Sequence, residues 1–72
     1  MTENEILSQL GTILQQPSPL TLDAVFSDMP EWDSLAQITI VAFFKNKLQK
    51  PIPFSIVQNA KTPADLIDFF NS

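Results

Sequence analysis

Proline placement is the strongest constraint on this chain. Six prolines are spread over 72 residues, at 17, 19, 30, 51, 53 and 63. Each lacks a backbone N–H and disfavours helix in the residue before it. No long helix or central strand can run through them, so the chain must fold from short segments. Three apolar segments at helical spacing fall between them. The chain has no Cys and no His. This excludes a disulfide framework, thiolate metal sites and any Ser-His or Cys-His catalytic pair, and no metal is expected. A carboxylate mechanism has little room for a substrate cleft at this length.

The first segment runs from Thr2 to Gln15. Thr2 or Asn4 caps it, and Glu3 and Glu5 suit the positive end of a helix dipole. Ile6, Leu7, Leu10, Ile13 and Leu14 give it one apolar face, and Gly11 weakens the helix without forbidding it. Gln16 to Trp32 reads as a long ordered loop. Leu20, Leu22, Val25 and Phe26 anchor it to the core, and Trp32 is a further anchor. The central segment, Asp33 to Lys50, starts with Asp33 as N-cap. Its run Ile38-Thr39-Ile40-Val41-Ala42-Phe43-Phe44 has strand-like composition, but the pattern continues through Leu48, and that length predicts a helix. Ile38, Val41, Ala42, Phe44, Ile52, Val57 and Ala60 are expected in the core. Lys45, Lys47 and Lys50 form a solvated helix end stopped by Pro51. Phe54 to Gln58 makes one short turn with Ser55 as its cap. Thr62, Pro63 and Asp65 start a last helix carrying Leu66, Ile67, Phe69 and Phe70. The expected fold is all-α: a small four-helix bundle of three main helices and one short one, forming a single domain over 1–72, with a long loop between helices 1 and 2.

The formal net charge is −4, which argues against nucleic-acid partners and for basic protein partners. The N-terminal residues lack a basic n-region and an apolar h-region, so no signal peptide is expected. The longest apolar run, Ile40 to Phe44, is too short to span a membrane. A cytoplasmic monomer is the expectation.

Asp33-Ser34-Leu35 stands where the loop meets the most apolar helix. A Ser in the first helical turn directs its hydroxyl outward. A phosphodiester on it would lie near free N–H groups and the positive dipole end. Leu35 is either core or an apolar foothold beside the motif. Asp28, Glu31 and Asp33 precede it, as a solvated loop or as an attraction for a basic enzyme.

With this loop, the Asp-Ser-Leu, the Ile52-Pro53 pair and the Thr-led segment from Thr62 to Phe70, the chain resembles the acyl carrier protein family over nearly its whole length. The resemblance implies that Ser34 is the attachment site of 4′-phosphopantetheine, flanked by Asp33 and Leu35. A phosphopantetheinyl transferase would install the group from coenzyme A. Its thiol would carry acyl thioesters, and the chain would catalyse nothing itself. Implied partners are acyl-loading and condensing enzymes (acyltransferase and ketosynthase) or adenylating enzymes. In the family, helices two and three also line a pocket for the acyl chain. Ala42 and Ala60 would leave room there, and Phe43, Phe44 and Phe54 would narrow it.

The chain departs from the family's pattern in two places. Glu31 stands where many members have Gly, and Ser34 to Lys50 holds no acid, whereas fatty-acid carriers have a Glu-rich second helix. These departures point to a specialised polyketide or fatty-acid-like pathway. The alternatives are an aminoacyl or peptidyl carrier, and an unmodified helical docking module.

Overall fold

The computed structural model describes all 72 residues, Met1–Ser72. Four helices follow one another: α1 (Glu3–Ile13), α2 (Ser34–Asn46), α3 (Phe54–Asn59) and α4 (Pro63–Asn71), with no strand. A single 3-10 turn, Phe26–Asp28, interrupts the long loop between α1 and α2. This is the all-α, four-helix bundle that the proline spacing and apolar periodicity predict.

Of the two caps that the sequence offers, Thr2 and Asn4, α1 begins on Thr2. The Thr2 hydroxyl accepts from Glu5 N–H, and the Glu5 carboxylate accepts from Thr2 N–H. This reciprocal pair satisfies two backbone-level needs at the helix mouth. The Thr2 N–H and then the Thr2 hydroxyl hold the Glu5 carboxyl below its usual pKa. The helix ends in a Schellman turn. Gln15 N–H bonds Thr12 C=O, Gln16 N–H bonds Gly11 C=O, and Gln15 sits at φ 56°. A residue with a β-carbon is disfavoured in this left-handed conformation, where Gly is at ease. Gln15→Gly is therefore expected to raise the unfolding free energy by roughly 0.5–1 kcal/mol, read as a higher urea midpoint with unchanged slope.

Gly11 is buried for a reason its helix propensity does not reveal. A β-carbon there would lie 2.7 Å from the Ser18 carbonyl oxygen, because the loop crosses α1 at this point. The loop is then pinned three times along its length. Leu20 N–H donates to Leu7 C=O, Phe26 N–H to Lys61 C=O, and Ala64 N–H to Leu22 C=O. The apolar anchors divide accordingly. Leu20 and Phe26 are buried, whereas Leu22 and Val25 are 41% and 44% exposed. Backbone bonds rather than side-chain burial hold the segment around Leu22. Trp32 is half-buried and stacks on Phe26, with ring centroids 4.1 Å apart and planes 4° apart.

α2 stops at Asn46, earlier than the Lys50 expected from sequence. Leu48 N–H bonds Phe43 C=O, and Gln49 takes φ 53°, turning the chain before Pro51 is reached. The buried face of α2 is Ala36, Gln37, Ile40, Phe43 and Phe44. Ile38 and Ala42 are exposed and Val41 is half-buried, so these are not the core positions that their apolarity suggests. A helix that is apolar nearly all round carries no periodic signal telling which side is inward. Phe44, Ile52, Val57 and Ala60 are buried as expected.

α3 starts at Phe54 with Pro53 at the cap position and no capping side chain, so Ser55 does not cap it. At α4, Pro63 takes the first turn, and the Asp65 carboxylate accepts from the N–H groups of Lys61 and Thr62. Lys50 is not part of a solvated helix end. Its Nζ donates to the carbonyls of Phe70 and Ser72 and lies 5.4 Å from the Phe69 ring centroid. A cation thus meets the unpaired carbonyls and negative dipole end of α4. The core joins all four helices: Ile6 and Leu10 from α1, Ile40 and Phe44 from α2, Val57 from α3, Leu66 from α4, with Phe26 from the loop, all fully buried. No helix is long and apolar enough to cross a membrane.

Candidate functional site

The long loop delivers Asp33 to the mouth of α2 in extended conformation, φ −140° and ψ −178°. Its Oδ1 accepts from Ala36 N–H at 2.9 Å, and its carbonyl accepts from Gln37 N–H. Asp33 is thus the N-cap expected from its position. The N–H groups of Ser34 and Leu35, the first two of the helix, are left without an intramolecular acceptor. Ser34 itself is exposed, and its hydroxyl bonds nothing within the chain. An anion bound through this oxygen would meet two free donors and the positive end of a 13-residue helix. The donor set suits a phosphodiester.

The loop immediately before the site is fixed rather than free. Trp32 N–H bonds Met29 C=O, and the Trp32 ring lies on buried Phe26, whose own N–H is tied to Lys61 beyond α3. The hydroxyl of Ser34 therefore stands at a defined place on the surface. Glu31 accepts from Gln15 Nε2 at 3.4 Å, linking the loop to the end of α1. Glu31 is half-buried, and Asp28 and Asp33 are exposed.

Leu35 is 72% exposed and Ile38 is 55% exposed. The open alternative for Leu35 resolves toward the surface. With Ala42 and Lys45, both also exposed, they continue the solvent face that starts at Ser34, by the i, i+4 spacing of a helix. On α3, Phe54 and Ile56 are 38% and 41% exposed. The apolarity of Ile38 predicts a core position, so this apolar strip is not visible in the sequence. Its only signal was an excess of apolar residues in α2 over what one buried face can use. Ser34, Leu35 and Asp33 lie together, as adjacent residues must. Ala42, expected beside an inner pocket, instead faces outward, and the surface cavities lie between α1 and α2. No cluster of three or more carboxylates that could hold a metal ion occurs.

The acyl carrier protein of Kineococcus radiotolerans is 33% identical over 75 residues, covering 97% of this chain and 93% of its own. That of Kocuria rhizophila is 30% identical over 76 residues, covering 99% and 94%. That of Renibacterium salmoninarum is 32% identical over 76 residues, with the same coverage. No family model and no solved structure matches the chain. With end-to-end similarity at this level and an all-helical bundle, the chain belongs to the acyl carrier protein family. Members of that family are carriers, not enzymes.

Proposed function

We propose that the chain is a single carrier domain over 1–72 that bears 4′-phosphopantetheine on Ser34. The observation that carries this is the exposed, unbonded Ser34 hydroxyl beside two free N–H groups at the mouth of α2. Ser34 Oγ would attack the pantetheine-side phosphorus of coenzyme A on a phosphopantetheinyl transferase. A new P–O bond forms, the bond to the adenosine bisphosphate breaks, and the hydroxyl proton passes to a base of the transferase. Asp33 holds the helix mouth open by capping Ala36, and Leu35 gives the transferase an apolar contact next to the reacting oxygen. When bound, the group supplies a terminal thiol for thioester formation, which the chain lacks because it has no Cys.

The cargo is an acyl intermediate of a specialised polyketide or fatty-acid-like pathway, handled by acyltransferase and ketosynthase partners in the cytoplasm, with the carrier acting as a monomer. The acid-free stretch from Ser34 to Lys50 and the exposed Leu35 and Ile38 favour an apolar contact over a basic one. An aminoacyl carrier loaded by an adenylating enzyme is the second reading, since the same arm and the same apolar strip would serve it. A fluorescent coenzyme A analogue tests the assignment. Transfer by a broad-specificity transferase should label the chain, with the label located on Ser34 by fragmentation. Absence of label, or label elsewhere, would sink the assignment. The pathway is tested by complementation: the loaded chain should fail to replace a housekeeping fatty-acid carrier, and full replacement would overturn the specialised role.

A further inference from the structure

The outward face of α2 has three zones in order along the helix. It is led by acids, with Asp28 and Glu31 in the loop and Asp33 at the cap. Its middle is apolar, with Leu35, Ile38 and Ala42 all exposed. It ends on a base, Lys45, with Lys47 just beyond the helix. Neither of these two ammonium groups is held by the chain, whereas Lys50 is tied to the carbonyls of Phe70 and Ser72. At the acidic end, Glu31 has only a long 3.4 Å bond from Gln15, and Asp33 spends one carboxylate oxygen on Ala36 N–H. Both ends therefore keep charge to spare.

Such a face is complementary to itself. Ile38 lies seven residues after Glu31 and seven before Lys45. A two-fold axis at Ile38 sets α2 of one copy antiparallel to α2 of another. Lys45 of each copy then meets the acidic end of the other, and the apolar middles cover one another. Antiparallel alignment also brings the positive dipole end of each helix to the negative end of the other. A closed two-fold pair is the commonest symmetry among oligomers of identical chains. The formal net charge of −4 opposes this contact only weakly. Four of the eight acids, Glu3, Glu5, Asp65 and Asp68, sit on α1 and α4. Physiological salt screens exposed charges separated by more than about 8 Å.

We propose that the unloaded chain pairs reversibly with a second copy through this face, α2 antiparallel to α2. The order of acid, apolar and base is what selects a second copy, since a partner of uniform charge would satisfy one end and be repelled by the other. Leu35 to Lys45 spans about 15 Å at 1.5 Å per residue, so the seam is narrow. Small interfaces are weak, and a dissociation constant on the order of 0.1–1 mM is expected. Ser34 is exposed on the same face, between Asp33 and Leu35, so the pair covers its hydroxyl. An arm attached there stands in the seam and holds the copies apart. The loaded carrier thus acts as a monomer, and only the form without the arm is paired.

The test uses the unloaded full chain, so pairing stands or falls apart from the attachment reading. Sedimentation equilibrium from about 10 µM to about 1 mM should show the average mass climbing from that of one chain toward that of two. Amide NMR shifts should move with concentration at Leu35, Ile38, Ala42 and Lys45, and stay fixed on α4. Lys45→Glu and, separately, Ile38→Asp, both at exposed positions, should keep the folded chain monomeric throughout. Glu31→Lys combined with Lys45→Glu reverses the charge order and should restore pairing to within about threefold. A mass that stays constant, shifts centred off α2, or a Lys45→Glu chain that pairs like the parent overturns the proposal. So does a folded double variant that stays monomeric. The chain carrying the arm, verified by its mass, should remain monomeric over the same range; equal pairing with the arm in place overturns the covering of Ser34.

Discussion

Phe26→Ala is expected to cost about 3–5 kcal/mol of folding free energy, the usual range for truncating a fully buried Phe. Phe26 has no exposed surface and lies outside every α-helix, on the 3-10 turn of the long loop. Its ring fills the core between the helices and also supports Trp32 at 4.1 Å, a contact worth about 0.5–1.5 kcal/mol beyond burial. A chain of 72 residues has roughly 4–11 kcal/mol of stability to lose. The variant should therefore be marginal, with its melting temperature lowered by ten degrees or more at about 4–8 °C per kcal/mol. The single Trp gives a direct reading, since Trp32 loses its stacking partner in the same step. A fluorescence melt within a few degrees of the parent would show that the loop does not depend on this ring. The consequence for function follows from sequence order. Trp32 is two residues from Ser34, so loosening Phe26 frees the hydroxyl from its fixed place on the surface.

Gly11→Ala should destabilise the protein, although helix propensity alone predicts the reverse. Ala is favoured over Gly inside a helix by about 1 kcal/mol. The new β-carbon, however, would stand 2.7 Å from the Ser18 carbonyl oxygen, and that atom belongs to backbone. It cannot swing aside as a side chain would. The loop must lift, straining the Leu20-to-Leu7 bond that follows it. Overpacking of this kind costs about 1–3 kcal/mol. The balance favours a net loss of up to about 2 kcal/mol. Urea unfolding reads it as a lower midpoint. A raised midpoint would mean that the loop does not press on α1 at Ser18.

These two residues show what the sequence discloses and where it stops. Elements with local signals were legible: the Thr2 and Asp33 caps, Pro63 opening α4, and the apolar faces of α1 and α4. The ends of α2 and the start of α3 were less so. Gln49 turns left-handed without being Gly, and Pro53 occupies a cap position without a side-chain acceptor. Gly11 reads as a weak point in α1 because the strand of loop lying on it comes from tertiary structure. Lys50 reads as a solvated cation because its acceptors at Phe70 and Ser72 are about twenty residues away. The candidate site was legible in part. Asp33, Ser34 and Leu35 were visible as a tripeptide at a helix mouth. The exposed Ile38 was not, because α2 has more apolar residues than its inward face can bury.

The central claim is that one hydroxyl, held at the entrance of α2 with two unpaired N–H groups beside it, accepts a phosphodiester. Intact-mass spectrometry after incubation with coenzyme A and a phosphopantetheinyl transferase measures this directly, on the parent and on Ser34→Ala. Ser34 is exposed and its side chain bonds nothing, so the substitution should leave the fold within about 0.5 kcal/mol of the parent. The account predicts one arm's mass gained by the parent and none by the folded variant. A parent that gains nothing, or a variant that gains as much as the parent, would contradict it.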